Sequence, residues 1–327
     1  MYAKRFFPLE AKKAADAMFV YVKAEFKKIL DEVDWMDPMT RAKAHRKVDK
    51  MTAHMGYSKE ILDDNLLTEF YSGLEMKNDS FLLNMMRLRQ FIKQYNAAQF
   101  RQPIIKTDWR THGGAAIANA WYRAKENSIT IPAGFLAGTF FNAARPDYMN
   151  YAAVGLVVGH EITHLFDDRG SQNDEDGNLE DWWEPETRER YLEKTQCMIE
   201  QYGNYTVEVA GETLHLNGLH TQGENIADNG GVIEAYRAYQ QYVMDQGEEP
   251  ILPVLGFTQN QLFWLSVGHK SCTVYRPEAL RNEVLTDPHS PERYRVNGPL
   301  SNIHHFASDW NCPVGSPMNP IKKCRVW

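Results

Sequence analysis

The chain has 327 residues, 43% of them hydrophobic and 12% aromatic, enough for a sizeable core and too apolar for a disordered or low-complexity chain. The formal net charge of -7 lacks the basic excess of a nucleic-acid binder, so no nucleic-acid partner is expected. The length fits about two domains or one large one.

Residues 10–52 predict two helices with a break at Asp37-Pro38, because Ala14, Ala17, Met18, Tyr21 and Val22 recur at helical spacing. Helical character continues to about residue 99, with a turn at Ser72-Gly73. Beyond Pro103 the texture changes. Residues 115–122 and 128–131 predict two short strands, and Pro132 either ends the second or marks it as an edge strand. A very apolar helix follows over 148–167, then a polar loop over 170–181 and a helix over 185–201. Residues 206–216 predict a hairpin around Ala210-Gly211, and further helices are expected over 223–244 and 258–274. From Pro277 onward, Pro, Asn and Gly predict loops with one short helix. The expected class is α+β and mostly helical, with an all-helical segment over 1–82 and a mixed unit over 83–327.

No segment reads as a membrane span. The longest uncharged stretch, residues 127–144, holds Pro132 and two glycines, whereas a spanning helix needs about 20 mostly apolar residues. The first residues carry charge with no apolar run behind them, so no signal peptide is expected there. Four cysteines are too few for a disulfide scaffold, and none has Cys-x-x-Cys spacing. Asn78-Asp79-Ser80 and Asn204-Tyr205-Thr206 are glycosylation acceptors by motif. Residues 173–178 read as a polar turn, because a calcium-loop frame would place Gln172 and Trp183 at its first and twelfth ligand positions.

The chemistry begins at His160-Glu161-Ile162-Thr163-His164. Residues four apart share a helix face, so two imidazoles can bind one Zn2+ at about 2.0–2.1 Å each. Glu161 sits beside that face and can act on a water without binding the metal. A catalytic zinc needs a third protein ligand and an open position. Gly223-Glu224-Asn225-Ile226-Ala227-Asp228 supplies a candidate in Glu224. Asp228, one turn on, can accept the free ring N–H of a ligand histidine and raise its basicity, as can Asp167, three residues after His164. On spacing alone, Glu224 and Asp228 fit a solvated helix face equally well.

With these residues in view, the chain resembles the neprilysin and endothelin-converting enzyme family of zinc endopeptidases. The resemblance rests on residues 157–168 and 223–231, on Asn119-Ala120-Trp121-Tyr122, Asp181-Trp182-Trp183, Tyr275-Arg276-Pro277 and His289-Ser290-Pro291, and on the terminal Cys324-Arg325-Val326-Trp327. It extends back to Trp35-Met36-Asp37 and so covers essentially the whole chain. It implies a thermolysin-like zinc-peptidase (gluzincin) domain over 83–327, preceded by the last helices of a larger helical domain over 1–82.

The resemblance also implies roles. Zn2+, one per chain, would be held by His160, His164 and Glu224, with Glu161 as the base. His289 would stabilise the oxyanion, a contribution of about 3–4 kcal/mol for such a donor. Asn119 and Ala120 would bond the peptide backbone, Arg295 would hold a substrate carbonyl, and Phe135, Phe140, Leu156 and Val157 would form an apolar pocket after the scissile bond. Here the chain departs from the family: Lys270-Ser271 stands before Cys272, where an apolar pair is usual. The implied function is hydrolysis of short extracellular peptides on the amino side of apolar residues. The alternative is a catalytically silent fragment that binds a peptide or partner. The resemblance selects one bridge, Cys197 to Cys324. It leaves Cys272 and Cys312 without partners, which implies that this chain is the C-terminal part of a larger extracellular enzyme, secreted or anchored through a region outside it.

Overall fold

A computed structural model describes residues 1–112 and 114–327. After a short α1 (Tyr2–Phe6), helix α2 (Leu9–Glu32) buries Ala11, Ala15, Met18, Val22, Phe26, Ile29 and Leu30 along one stripe. The break at Asp37-Pro38 starts α3 (Pro38–Lys50). Asp37 Oδ1 accepts from Met39 N at 2.7 Å and Thr40 N at 3.0 Å, and Pro38 occupies the first turn, where its missing N–H costs nothing.

Residues 52–56 are not helical. They form β1 (Thr52–Gly56), which pairs in parallel with β3 (Ser128–Pro132). Strand β2 (Trp121–Arg123) pairs antiparallel on the other side, giving the order β1-β3-β2. β3 is therefore the middle strand, buried at all five positions, and Pro132 ends it. Residues 115–120, expected as part of the first strand, are irregular. Between β1 and β2 lie α4 (Asp64–Phe70) and α5 (Phe81–Ala98); neither buries a residue.

The apolar helix at the centre is one helical run of changing pitch. α6 (Asp147–Asn150) passes through a π-turn over Tyr151–Gly155 into α7 (Leu156–Thr163), and a 3-10 turn closes it over His164–Phe166. Next come α8 (Pro185–Gly203) and the hairpin β4 (Thr206–Val209) and β5 (Glu212–His215). Ala210 and Gly211 turn it, both with positive φ, as a two-residue hairpin turn requires. α9 (Gln222–Gln246) and α10 (Gln259–Lys270) follow, the latter opened by a Thr258/Gln261 capping box. The tail holds three helices where one was expected: α11 (Pro277–Thr286), α12 (Glu292–Asn302) and α13 (His304–Asp309).

The core is α2, α7 and α9 packed together, with Phe26, Ile29, Val158, Ile162, Phe166 and Ile226 fully buried. Cys197 of α8 is bonded to Cys324, with Cα atoms 5.5 Å apart, and this ties the C-terminal segment to α8; Cys272 and Cys312 are free. No helix among the described residues is long and apolar enough to cross a membrane.

Candidate active site

Helices α7 and α9 meet at two glycines. A Cβ on Gly159 would lie 2.8 Å from Gly231 Cα, and one on Gly231 would lie 2.7 Å from Leu156 O. Any side chain at either position would push the backbones apart. The close crossing lets His160 and His164 on α7 face Glu224 in the first turn of α9.

His160 Nε2 lies 2.9 Å from His164 Nε2. Glu224 Oε2 lies 3.2 Å from the first and 3.5 Å from the second. On the far side of each ring, His160 Nδ1 is 2.8 Å from Asp228 Oδ1 and His164 Nδ1 is 2.5 Å from Asp167 Oδ2. Those carboxylates accept hydrogen bonds from the Nδ1–H groups. The two Nε2 atoms then face each other with lone pairs, a contact made favourable only by a cation or proton between them. Ligand atoms of a tetrahedral zinc site lie about 3.3 Å apart, given bonds of about 2.0–2.1 Å. The three donors therefore fit Zn2+ in type, number and spacing.

The electrostatics follow from burial among opposite charges. Burial works to raise Glu224, but the imidazoles of His160, His164 and His289 gathered around it hold its carboxyl far below the ordinary range. Asp228 is fully buried, and Arg295 with His160 keeps it ionised. For His164, burial works downward, but Asp167 and Glu224 outweigh it and hold the ring well above its usual value. Glu161 is different: burial, only partly offset by His160 and His164, pushes it up. A carboxyl beside the donors, outside the ligand set and with its pKa raised by burial, is suited to proton transfer.

Asn119, Ala120, Trp121 and Tyr122 line one cavity of about 330 Å³ together with His160, Glu161, His164, Asp167, Glu224 and His289. His289 Nε2 reaches Glu224 Oε2 at 3.1 Å, and its Nδ1 bonds Asp287 Oδ1 at 2.8 Å. Asp287 was not anticipated from the sequence, although its place two residues before His289 is a local signal. Arg295 lies outside the cavity lining. Its Nε and Nη2 each donate to Asp228 at 2.8 Å, so it supports the carboxylate that supports His160. The Phe135 and Phe140 rings pack 4.3 Å apart, Leu156 is buried and Val157 half-buried, and all four lie outside that lining. Lys270, half-buried at the end of α10, donates to Ser271 Oγ at 3.0 Å. Burial and nearby Arg295 lower its pKa.

The sequence model of peptidase family M13 matches residues 119–326, and the N-terminal model of the same family matches residues 1–58. The chain belongs to peptidase family M13. It is 48% identical over 327 residues to Neprilysin-2 of Drosophila melanogaster, covering all of this chain and 42% of that protein. It is 42% identical over 327 residues to endothelin-converting enzyme 1 of Bos taurus, again covering all of this chain and 43% of that protein. The chain thus spans about two fifths of the length of the curated relatives it matches. Among solved structures, a zinc metalloprotease of Mycobacterium tuberculosis in complex with an inhibitor superposes with a TM-score of 0.82 at 31% identity, covering 95% of this chain and 46% of that one. A Haemonchus galactose-containing glycoprotein complex superposes at 0.86 with 30% identity, covering all of this chain and 52% of that one. The M13 fold is the thermolysin-like one expected from the sequence.

Proposed function

We propose that this chain is the catalytic part of a zinc-dependent endopeptidase that hydrolyses short extracellular peptides on the amino side of apolar residues. The observation that carries the reading is the convergence of His160 Nε2, His164 Nε2 and Glu224 Oε2 within 4.8 Å of one another, with buried Glu161 beside them. When bound there, zinc acts as a Lewis acid, acidifying a water and polarising the scissile carbonyl. Glu161 takes the proton of the attacking water and passes it to the leaving amine, a transfer its raised pKa favours. His289, steadied by Asp287, donates to the carbonyl oxygen as negative charge develops on it.

The substrate lies extended along the free edge of β2, where Asn119 and Ala120 offer polar groups in strand-addition fashion. Arg295 commits Nε and Nη2 to Asp228, and Nη1, 3.8 Å from Glu292 Oε1, is the nitrogen that reaches a substrate carbonyl. Phe135, Phe140, Leu156 and Val157 receive the side chain that follows the scissile bond. The Cys197–Cys324 bridge suits an oxidising, extracellular setting, and both acceptor asparagines, Asn78 and Asn204, are exposed. In the parent protein, α4 and α5, which bury no residue here, face the remainder of a helical domain, while α2 and β1 pack with residues 83–327.

The test is cleavage of an internally quenched short peptide by the parent protein, with and without a chelator. The expected result is cleavage that the chelator abolishes and added zinc restores. Cleavage that persists after complete metal removal contradicts the proposal.

A further inference from the structure

Lys47 is the one lysine of α3 that is fully buried, at 1% exposure. Its ammonium donates to Leu165 O at 2.8 Å, Gly170 O at 2.6 Å and Asn173 O at 2.5 Å. An ammonium has three N–H donors, so all are used, and the three acceptors require the protonated form. The Phe166 and Trp182 rings flank it at 5.4 and 5.6 Å. Burial lowers Lys47 to about 7, while Asp167, Asp174 and Glu175, the charged groups facing it, pull the other way.

The three carbonyls belong to the segment where the metal helix ends. Leu165 lies in its closing 3-10 turn, where backbone carbonyls lack intrahelical partners and a cation is favoured. Between Leu165 and Gly170 sits Asp167. Its Oδ1 accepts from Arg169 N at 2.8 Å and Gly170 N at 2.6 Å, which leaves Oδ2 for His164 Nδ1. A Cβ on Gly170 would lie 2.9 Å from His164 C and 3.0 Å from Leu165 C, so this loop folds directly onto the ligand's own backbone. A second tie comes from Asn127, which donates to Lys47 O at 2.9 Å and Glu175 O at 3.1 Å. Lys47, the loop over 165–173, Asp167 and His164 form one continuous chain of bonds.

We propose that Lys47 is a positioning residue of the metal centre: by holding the loop over 165–173 it sets Asp167, and through Asp167 the orientation of His164. It rests on the zinc reading given above. Helix α3, which contributes no residue to the cavity, is by this route part of the metal site.

The test is zinc affinity of the parent protein by competition against a chelator, with apo-protein melting temperature measured alongside. Lys47→Met keeps the apolar stem and removes the three donors. Loss of a group that orients a ligand typically costs 10–100-fold in metal affinity, and about tenfold is expected here. Because the effect runs through Asp167, the losses from Lys47→Met and Asp167→Asn are expected not to add in the double variant. A lower apo melting temperature with unchanged zinc affinity, or additive losses, overturns the inference and leaves Lys47 a packing residue. If Lys47→Met does not fold, Lys47→Arg, which keeps a buried cation with several donors, carries the same comparison: about threefold weaker zinc binding supports the inference and unchanged binding overturns it. Absence of zinc binding by the unsubstituted chain refutes the zinc reading itself, an outcome distinct from both.

Discussion

Gly231→Ala places one methyl group where two ligand-bearing helices touch. The new Cβ would lie 2.7 Å from Leu156 O and 2.9 Å from His160 Cα, and closer still to His160 N, against about 3.4 Å for ordinary contact. All three are backbone atoms of α7, so no side chain can swing away. The helices must part by at least about 0.7 Å, the shortfall to Leu156 O, and by more to clear His160 N. Overpacking of this kind costs about 1–3 kcal/mol. Alanine returns up to about 1 kcal/mol of helix preference, so a net loss of about 0–3 kcal/mol is expected in urea unfolding of the apo-protein. Zinc binding suffers further, because the movement separates His160 from Glu224 by more than the roughly 0.2 Å a metal site tolerates. At least tenfold weaker affinity, about 1.4 kcal/mol, is expected in chelator competition. Gly268→Ala in α10 is the control. Nothing outside its own helix backbone and chain neighbours lies within 4 Å of its Cβ position, so the same change is expected to be neutral or stabilising by up to about 1 kcal/mol. Unchanged stability and zinc affinity in Gly231→Ala would refute the close-crossing argument.

Two further outcomes follow from buried groups beside the site. Glu234 is fully buried, and its only hydrogen-bond partner among the described residues is Thr163 Oγ1, at 2.7 Å. Burial raises its pKa well above the usual value, so its contribution to stability is complete below about 4.5 and declines as pH rises towards the raised value, by up to about 1.4 kcal/mol per unit. Glu234→Gln is expected to flatten the fall in melting temperature between pH 5 and 8; identical slopes for the two proteins would show that burial does not raise the pKa of Glu234. His289→Ala in the parent protein is expected to lower kcat about 100-fold or more with little change in KM, because the oxyanion exists only beyond the ground state, and a loss confined to KM would make His289 a substrate-binding residue instead.

What was legible in the sequence was local. The metal helix, α8, α9 and the hairpin at Ala210-Gly211 each announce themselves by apolar period, capping or turn residues within a short window. β1 does not: Thr-Ala-His-Met-Gly has no strand pattern, and its pairing with β3 across a long loop exists only in the folded molecule. The tail helices were hidden because Pro277 and Pro291 read as breakers, whereas one opens α11 and the other sits immediately before α12. Lys47 was invisible for a similar reason. Beside Lys43, Arg46 and Lys50 it reads as one more charge on a solvated helix face, and only the approach of α3 to the turn and loop over 165–173 gives it three carbonyls. The roles of Asn119, Ala120, Arg295 and the four apolar residues came from resemblance alone, since none has a local pattern of its own.

Glu161→Gln in the parent protein, measured for zinc content and peptide cleavage on the same sample, separates metal holding from proton transfer. Glu161 lies outside the three converging donors, so one zinc per chain is expected to remain, with cleavage lowered at least about 100-fold by loss of the base. Cleavage within a few-fold of the unsubstituted protein, or loss of the zinc together with the carboxylate, would contradict the assignment of this site.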